Sequence, residues 1–386
     1  MPIQLGIIDK DPIRLVTPLL DDRALSRHAI FIGDSTQKPM FDKLSIVLNM
    51  RGIKSEFFEI SNVSDTAIIK QEITQLAERL RLSGDDIKLN ASCGLRHRLL
   101  SVYEVVRSYK WPIFVVEPNS DRLSWLYPNS FKDVQVQDRI TIADYLTIFG
   151  AQAQFPDPNE AIQIDSALLK ICEKWASHAL ELGPGLATLN FLATTCRKEQ
   201  KLDVELSEKQ QGYRELNILL QDLVDAELAT YHAGTLVFRS EQARRFSNGE
   251  WLESYVHTQI KSVEKELSTI QDCSLNVQVT RKIGDKEVRN ELDVATVVNN
   301  KLHIIECKTK GMRDDGDDTL YKLESLRDLL GGLQARAMLV SFRPLRYNDI
   351  TRAMDLGLGL IGPEELKDLK LHLKEWLVKA GGIDVI

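Results

Sequence analysis

Over the first 150 residues, short apolar runs alternate with longer stretches in which apolar positions recur at helical spacing. Ile3–Ile8, Ala29–Gly33, Lys54–Ile60, Ile87–Asn90 and Ile113–Glu117 read as strands. Ile13–Asp22, Pro39–Arg51, Asp65–Leu82 and His97–Lys110 read as the helices between them. This alternation predicts a mostly parallel sheet with helices on both faces. Such sheets bind ligands beyond the carboxyl ends of their strands, here Asp9–Pro12, Asp34–Gln37 and Ala91–Arg96. Arg122–Tyr127 reads as an added antiparallel strand, and the two prolines of Gln152–Asn159 mark a boundary that closes a first unit at 1–155.

From Glu160 to about Ser240 the pattern is mainly helical, with Ala161–Leu180, Leu186–Cys196 and Glu215–Ala226 as helices. Leu228–Tyr231 and Thr235–Arg239 flank His232–Gly234 as a small hairpin, so 160–240 reads as a winged-helix-like module. Its candidate reading helix carries Glu215, Asp222 and Asp225, where a DNA reader needs Lys or Arg for phosphates. The module is therefore expected to be a spacer or dimerisation unit.

A third unit, 245–386, starts with the helix Trp251–Leu267 and the strand Ser274–Lys282. Val294–Val298 and Leu302–Cys307 then form a hairpin around Asn299-Asn300, a pair that suits a tight turn with positive φ. Centred there, the hairpin sets Asp293 opposite Glu306 and Glu291 opposite Lys308, all on one face. Thr319–Leu330, Ala335–Phe342, Asp349–Leu356, Leu358–Ile361 and Pro363–Lys379 complete an α/β/α arrangement.

The 386 residues are too many for one ordinary core, and 43% apolar with 27% charged residues is a globular composition. No apolar run approaches the ~20 residues of a membrane span, and the N-terminus lacks the pattern of a signal peptide. Five dispersed cysteines without a CxxC spacing argue against a disulfide framework or structural zinc and for a reducing cytoplasm. A net charge of −7 argues against non-specific coating of nucleic acid and leaves room for a local basic cleft.

The chemistry concentrates in Asn290–Lys310. Opposed carboxylates repel unless a cation lies between them, so Asp293 and Glu306 point to a divalent metal, with Lys308 beside them for a phosphate oxygen or a water. Glu291 is expected to form a structural ion pair with Lys308, and Lys322 to lie on the surface. The acidic run Asp314–Asp318 lacks the spacing of a calcium loop, and His257 is expected to be structural. No Walker A or G-x-S-x-G run occurs.

Asp293…Glu306-Cys307-Lys308, with Glu253 on the preceding helix, resembles the PD-(D/E)XK nuclease superfamily. That resemblance implies a restriction-endonuclease-like fold and metal-dependent phosphodiester hydrolysis. Asp293, Glu306 and the main-chain carbonyl of Cys307 would hold Mg²⁺ or Mn²⁺, Glu253 would reach the metal directly or through water, and Lys308 would stabilise the phosphate.

Asn90, Gly94, Tyr103, Glu104, Arg122, Leu123, Trp125 and Leu126 resemble the pattern of the CARF (CRISPR-associated Rossmann fold) domain. A CARF domain ahead of such a nuclease resembles the cyclic-oligoadenylate-activated nucleases of type III CRISPR immunity. This implies a homodimer that binds cyclic tetra-adenylate between its CARF domains and cuts single-stranded DNA or RNA. Asp9, Lys10, Asp34, Ser92, Cys93, Gly94, Leu95 and Arg96 would line the ligand site. The family's Thr-Gly-Gly-Thr-Lys loop is replaced here by Ser92-Cys93-Gly94-Leu95-Arg96, and its first loop by Asp9-Lys10-Asp11. The alternatives are a duplex-DNA restriction or repair nuclease without a second messenger, and a nucleotide-sensing regulator that binds DNA without cutting it.

Overall fold

In the computed structural model, which describes residues 2–23, 26–82, 86–157, 162–310 and 316–379, the N-terminal alternation folds into a seven-stranded sheet. Its elements are β1 (Ile3–Ile7), α1 (Ile13–Leu20), β2 (His28–Gly33), α2 (Lys38–Met50), β3 (Lys54–Glu59), α3 (Thr66–Leu82), β4 (Ile87–Asn90), α4 (Arg96–Ser108), β5 (Ile113–Val116), β6 (Arg122–Tyr127) and β7 (Val134–Gln135). The order is β3-β2-β1-β4-β5-β6-β7, with the first five strands parallel and the last two antiparallel. All of β1 is buried, as a strand covered by helices on both faces requires. Because β1 pairs with β2 on one side and β4 on the other, the loops after β1 and β4 flank the switch point of the sheet.

Two short elements follow, α5 (Ile142–Ile148) and β8 (Ala151–Gln154). The middle module then holds α6 (Ser166–Ser177), α7 (Ala179–Glu199), β9 (Asp203–Glu205), α8 (Glu208–Gln211), α9 (Arg214–Asp225), β10 (Ala229–His232) and β11 (Thr235–Phe238). The expected hairpin is there, extended by β9 into a three-stranded wing. The break between the first two expected helices moves to His178, and α7 runs on through Pro184. Gly185 sits where α7 crosses α9, and a Cβ there would come within 2.6 Å of the Glu215 main chain. Asp222, expected on a reading helix, is buried. It accepts hydrogen bonds from Lys174 Nζ at 2.7 Å and from the wholly buried Trp175 Nε1 at 2.8 Å, fastening α6 to α9.

The C-terminal part adds α10 (Glu241–Arg245), α11 (Trp251–Glu264), β12 (Ile270–Ile283), β13 (Lys286–Val298), β14 (Lys301–Lys308), α12 (Gly316–Gly331), β15 (Arg336–Ser341), α13 (Tyr347–Asp355), β16 (Gly359–Ile361) and α14 (Leu369–Val378). The helix expected from Pro363 starts as a helix only at Leu369, after a turn at Leu366–Asp368. The sheet order is β16-β15-β14-β13-β12-β8. The strand that opens the expected boundary segment, β8, therefore pairs with β12 rather than ending the first sheet. Its sequence AQAQ has no branched residue to announce it, and the pairing of Gln154 with Gln278 links distant parts of the chain. Apolar cores join in the same way: Leu15, Leu44, Tyr145, Ala295, Ile304 and Leu323 belong to one buried cluster.

β14 lies inside the sheet, antiparallel to β13 and parallel to β15. Ile304 faces that cluster, and Ile305 faces a second one with Leu252, Val256 and Ile260 of α11. Each such side chain contributes on the order of 1.5–3 kcal/mol of burial. The hairpin tip is anchored in the N-terminal part. Asn300 Nδ2 donates to Asp121 and Asp138, each at 3.2 Å, and Lys301 Nζ donates to the Asn119 carbonyl at 2.9 Å. Among the described residues no helix is long and apolar enough to cross a membrane.

Candidate active site

The β13–β14 register follows from its turn. Asn299 and Asn300 both have positive φ, 49° and 53°, and Val294 pairs with Ile305 as the centred hairpin requires. The paired ladder ends there, which leaves Asp293 and Glu306–Lys308 at its open end. Asp293 Oδ2 accepts a hydrogen bond from the Cys307 N–H at 2.7 Å. A residue's N–H and C=O point to the same side of an extended strand, so the Cys307 carbonyl faces the Asp293 side as well. The next carbonyl, that of Lys308, is taken by the Phe342 N–H at 2.8 Å.

Lys308 departs from expectation. Its ammonium pairs with Glu306 Oε1 at 2.5 Å and not with Glu291, which is exposed. Both partners stand on one face of β14 two residues apart, so the contact needs no reach across the hairpin. Burial works against the Lys308 charge, but Glu306 and Asp293 outweigh it and hold its pKa above the usual lysine value.

Negative charge is in excess. Burial first, then Glu306, pushes the Asp293 carboxyl up to about 7. Glu253 on α11 is pushed well above the ordinary glutamate range, by burial and then by Asp293, Glu250 and Glu291. Crowded, poorly solvated carboxylates with an oxygen-rich strand edge suit a hard divalent cation, which would relieve the repulsion. Among the described residues no three metal-ligating side chains converge, and Glu306 is closed onto Lys308. The Cys307 thiol is fully enclosed and its pKa raised far above normal, so this residue offers its main chain and not a thiolate. Burial lowers the pKa of His257 and favours its neutral form.

Glu250 is a neighbour of the candidate site that the sequence reading missed. It precedes Glu253 by one helical turn, a spacing visible in GEWLESY, and it is bound by Arg245 at 2.5 Å. Burial raises its carboxyl despite that arginine. The acidic residues Asp314 and Asp315 lie outside the described residues. Lys322 on α12 is exposed, as expected of a surface lysine.

The structure brings the residues expected to bind a ligand together at the crevice of the first sheet, but several are already engaged. Asp9 Oδ2 accepts from the Gly94 N–H at 3.2 Å, the position a bound phosphate oxygen would take. Gly94 has φ 115°, a conformation L side chains rarely adopt, and a Cβ there would come within 3.0 Å of the Ile7 side chain. Ser92 Oγ accepts from the Val116 N–H at 2.7 Å and so faces the protein. Cys93 is buried with its thiol pushed up to about 12. Lys10, Leu95 and Arg96 remain exposed. Asp34 caps the following turn and pairs with Arg98 at 3.3 Å. Arg98 was not singled out from sequence; its Nε has no hydrogen-bond partner, and it also holds Gln37.

Residues 240–380 match the Card1-like endonuclease domain model. No curated relative matches the sequence. Protein VC1899 from Vibrio cholerae, known as a crystal structure, is 70% identical over 99% of both chains, with a TM-score of 0.95. Can2 from Sulfobacillus thermosulfidooxidans, solved in complex with cyclic tetra-adenylate, is 20% identical over 98% of this chain and 99% of its own, with a TM-score of 0.79. A type III CRISPR defence DNA nuclease activated by cyclic oligoadenylate shares the fold at a TM-score of 0.57 and 14% identity. The match covers 95% of this chain but only 51% of the other. The Card1-like domain match coincides with the part of the chain where strand edge and carboxylates meet, and the fold around it is that of a CARF nuclease. By its near-complete match to VC1899, the chain belongs to that protein's family, and it is a nuclease.

Proposed function

We propose that this chain is a metal-dependent endonuclease that cuts single-stranded DNA or RNA when a cyclic oligoadenylate, cyclic tetra-adenylate first, occupies a crevice shared by two copies. The observation that carries the reading is the open end of the hairpin, where Asp293, Glu306, Cys307 and Lys308 meet beside Glu253. Asp293, Glu306 and the Cys307 carbonyl would hold Mg²⁺ or Mn²⁺, with Glu253 near enough to share its charge. A bound ion supplies Lewis acidity to the phosphoryl group and makes a water more acidic. With a cation on Glu306, Lys308 would be free to offer its ammonium to the charge that develops on the phosphate. Asp293 fixes the strand edge through the Cys307 N–H.

The sensing half is supported by the sheet order, by the crevice at β1 and β4, and by the fold shared with Can2. The units are taken as 1–155 for sensing, 160–240 as the middle module and 245–386 for cleavage, within a cytoplasmic homodimer. Binding in the crevice requires an activator phosphate to displace Asp9 from the Gly94 N–H or to bind beside it.

The test is cleavage of single-stranded DNA, RNA and duplex DNA with Mn²⁺ or Mg²⁺, with and without cyclic tetra-adenylate. The expected result is activator-dependent loss of a single-stranded substrate. Metal-independent cleavage, or equal rates with and without any cyclic oligoadenylate, would overturn the reading.

A further inference from the structure

The helix α7 belongs to the middle module, yet it runs along the mouth of the nuclease centre. Asn190 Nδ2 donates to Thr309 Oγ1 at 3.2 Å, and Thr194 Oγ1 donates to Asn248 Oδ1 at 3.0 Å. Asn190, Thr194 and Arg197 follow at four- and three-residue steps, so they share one face of the helix. Thr309 also closes on Gly249, where a Cβ would come within 2.6 Å of its Oγ1. These contacts hold α7, the turn before α11 and the end of β14 in one arrangement.

Between them is an opening of about 410 Å³ lined by Arg197, Asn248, Glu241, Glu250 and Glu253, so it reaches the nuclease centre at Glu253. Two other arginines there are engaged: Arg244 with Glu241 at 2.6 Å and Arg245 with Glu250 at 2.5 Å. Arg197 differs. It is exposed, as is Lys310, two residues beyond Lys308, and among the described residues neither side chain makes a hydrogen bond or ion pair. The two charges lie close enough to feel each other: partial desolvation, then Arg197, then Lys308 hold the Lys310 ammonium below its usual pKa. Arg197 helps to hold the Glu241 carboxyl below its usual range, but Glu241 is bound by Arg244 and Glu250 by Arg245, so two like charges without an ion-pair partner of their own are open to an anion.

We propose that Arg197 of α7 and Lys310 after β14 clamp the phosphodiester backbone of the strand being cut, which makes the middle module part of the substrate site. The inference rests on the nuclease reading above and adds a second element to it. Arg197 offers a planar fork that two phosphate oxygens can share, and Lys310 a point charge nearer the reacting phosphate. Both are positioning residues. They set where the strand lies and leave the reacting centre to Asp293, Glu306 and Lys308.

The experiment compares the full-length wild type with Arg197→Ala, Lys310→Ala, the double variant, Arg197→Lys, and Lys209→Ala on α8 as a control outside the opening. Steady-state cleavage of a labelled single-stranded oligonucleotide is measured in Mn²⁺ with activator. Binding of the same oligonucleotide is followed by fluorescence anisotropy in Ca²⁺ across a salt series. Each alanine should raise KM roughly 5- to 10-fold with kcat within about twofold, since a charge-assisted contact is lost without touching the reacting atoms. The slope of log affinity against log salt should fall by about 0.7 for each cation removed. Arg197→Lys keeps the charge but not the fork, so it should restore the salt slope and only part of the affinity, and Lys209→Ala should match wild type. A fall in kcat at unchanged KM, or an unchanged salt slope, overturns the clamp. If the wild type cuts no nucleic acid, the nuclease reading fails. If it does cut and the variants share its KM, only the clamp fails.

Discussion

Replacing Asp293 by Asn tests whether the metal-free centre is held under electrostatic stress. Asn keeps an oxygen for the Cys307 N–H, which Asp293 accepts at 2.7 Å, and removes the charge that Glu306 opposes. The Asp293 carboxyl is raised from 3.8 to about 7, so the folded protein binds this proton more tightly than the unfolded chain does. Its contribution to stability is therefore greatest below about pH 4, declines as pH rises, and is fully lost above about pH 7. A shift of about three units corresponds to a ceiling of roughly 4 kcal/mol at pH 8. With an unfolding entropy of about 2.1 cal/mol/K per residue, that ceiling amounts to roughly 5 °C in Tm if the 386 residues melt together. The assay is thermal unfolding in EDTA from pH 4.5 to 8.5. Asp293→Asn should match wild type at the acid end and exceed it increasingly toward pH 8. Saturating Mn²⁺ should reverse the order, because the wild type gains a bound ion that the variant holds poorly. A constant gap across the pH range would refute the claim that this carboxylate is destabilised by its surroundings.

Glu306→Ala and Lys308→Ala should each lower kcat by at least about 10²-fold, with Tm changed by only a few degrees; cleavage retained by both would remove the site assignment. Asp9→Ala frees the Gly94 N–H and removes a negative charge from the crevice, so half-activation should need roughly 10-fold less cyclic oligoadenylate. An unchanged or higher activator requirement would show that the ligand does not use that N–H. Asp222→Ala strands the buried Trp175 Nε1 and the Lys174 ammonium and should cost about 2–3 kcal/mol in urea unfolding; a change below about 0.5 kcal/mol would contradict that role. Metal affinity, followed by calorimetry, should rise between pH 6 and 8 as Asp293 loses its proton near 7, with protons released on binding; a pH-independent affinity would rule out Asp293 as a ligand that must ionise.

The active hairpin was legible because its information is local. Asn299-Asn300 fixes the turn, the turn fixes the register, and the register places Asp293 and Glu306. Its electrostatic pairing was not. Cross-strand logic joins Lys308 to Glu291, whereas the end of the ladder at Val294 frees Lys308 to take Glu306 two residues away. The parallel sheet was read from periodicity with bounds close to those observed, since each strand is an apolar run between helices. Contacts between distant segments left no trace in the sequence pattern. Asp9 closes on Gly94 across 85 residues, and Asn190 reaches Thr309 across 119. Short polar side chains that do this look the same as loop residues until the fold sets them side by side.

The pairing of β8 with β12 bears on how this nuclease can be taken apart. A fragment cut to the matched domain, residues 240–380, would lack Ala151–Gln154, which covers Thr280, Val279 and neighbouring backbone on β12. That fragment would uncover the backbone edge of Gln278–Arg281 that β8 pairs with. Edges of this kind recruit other chains, so such a truncation should self-associate at concentrations where the intact protein does not. Starting the fragment ahead of Ala151 would restore the missing rail. The sheet that carries the proposed cleavage site is thus completed by a strand from before the middle module, and the proposed cleavage unit should be excised together with that strand.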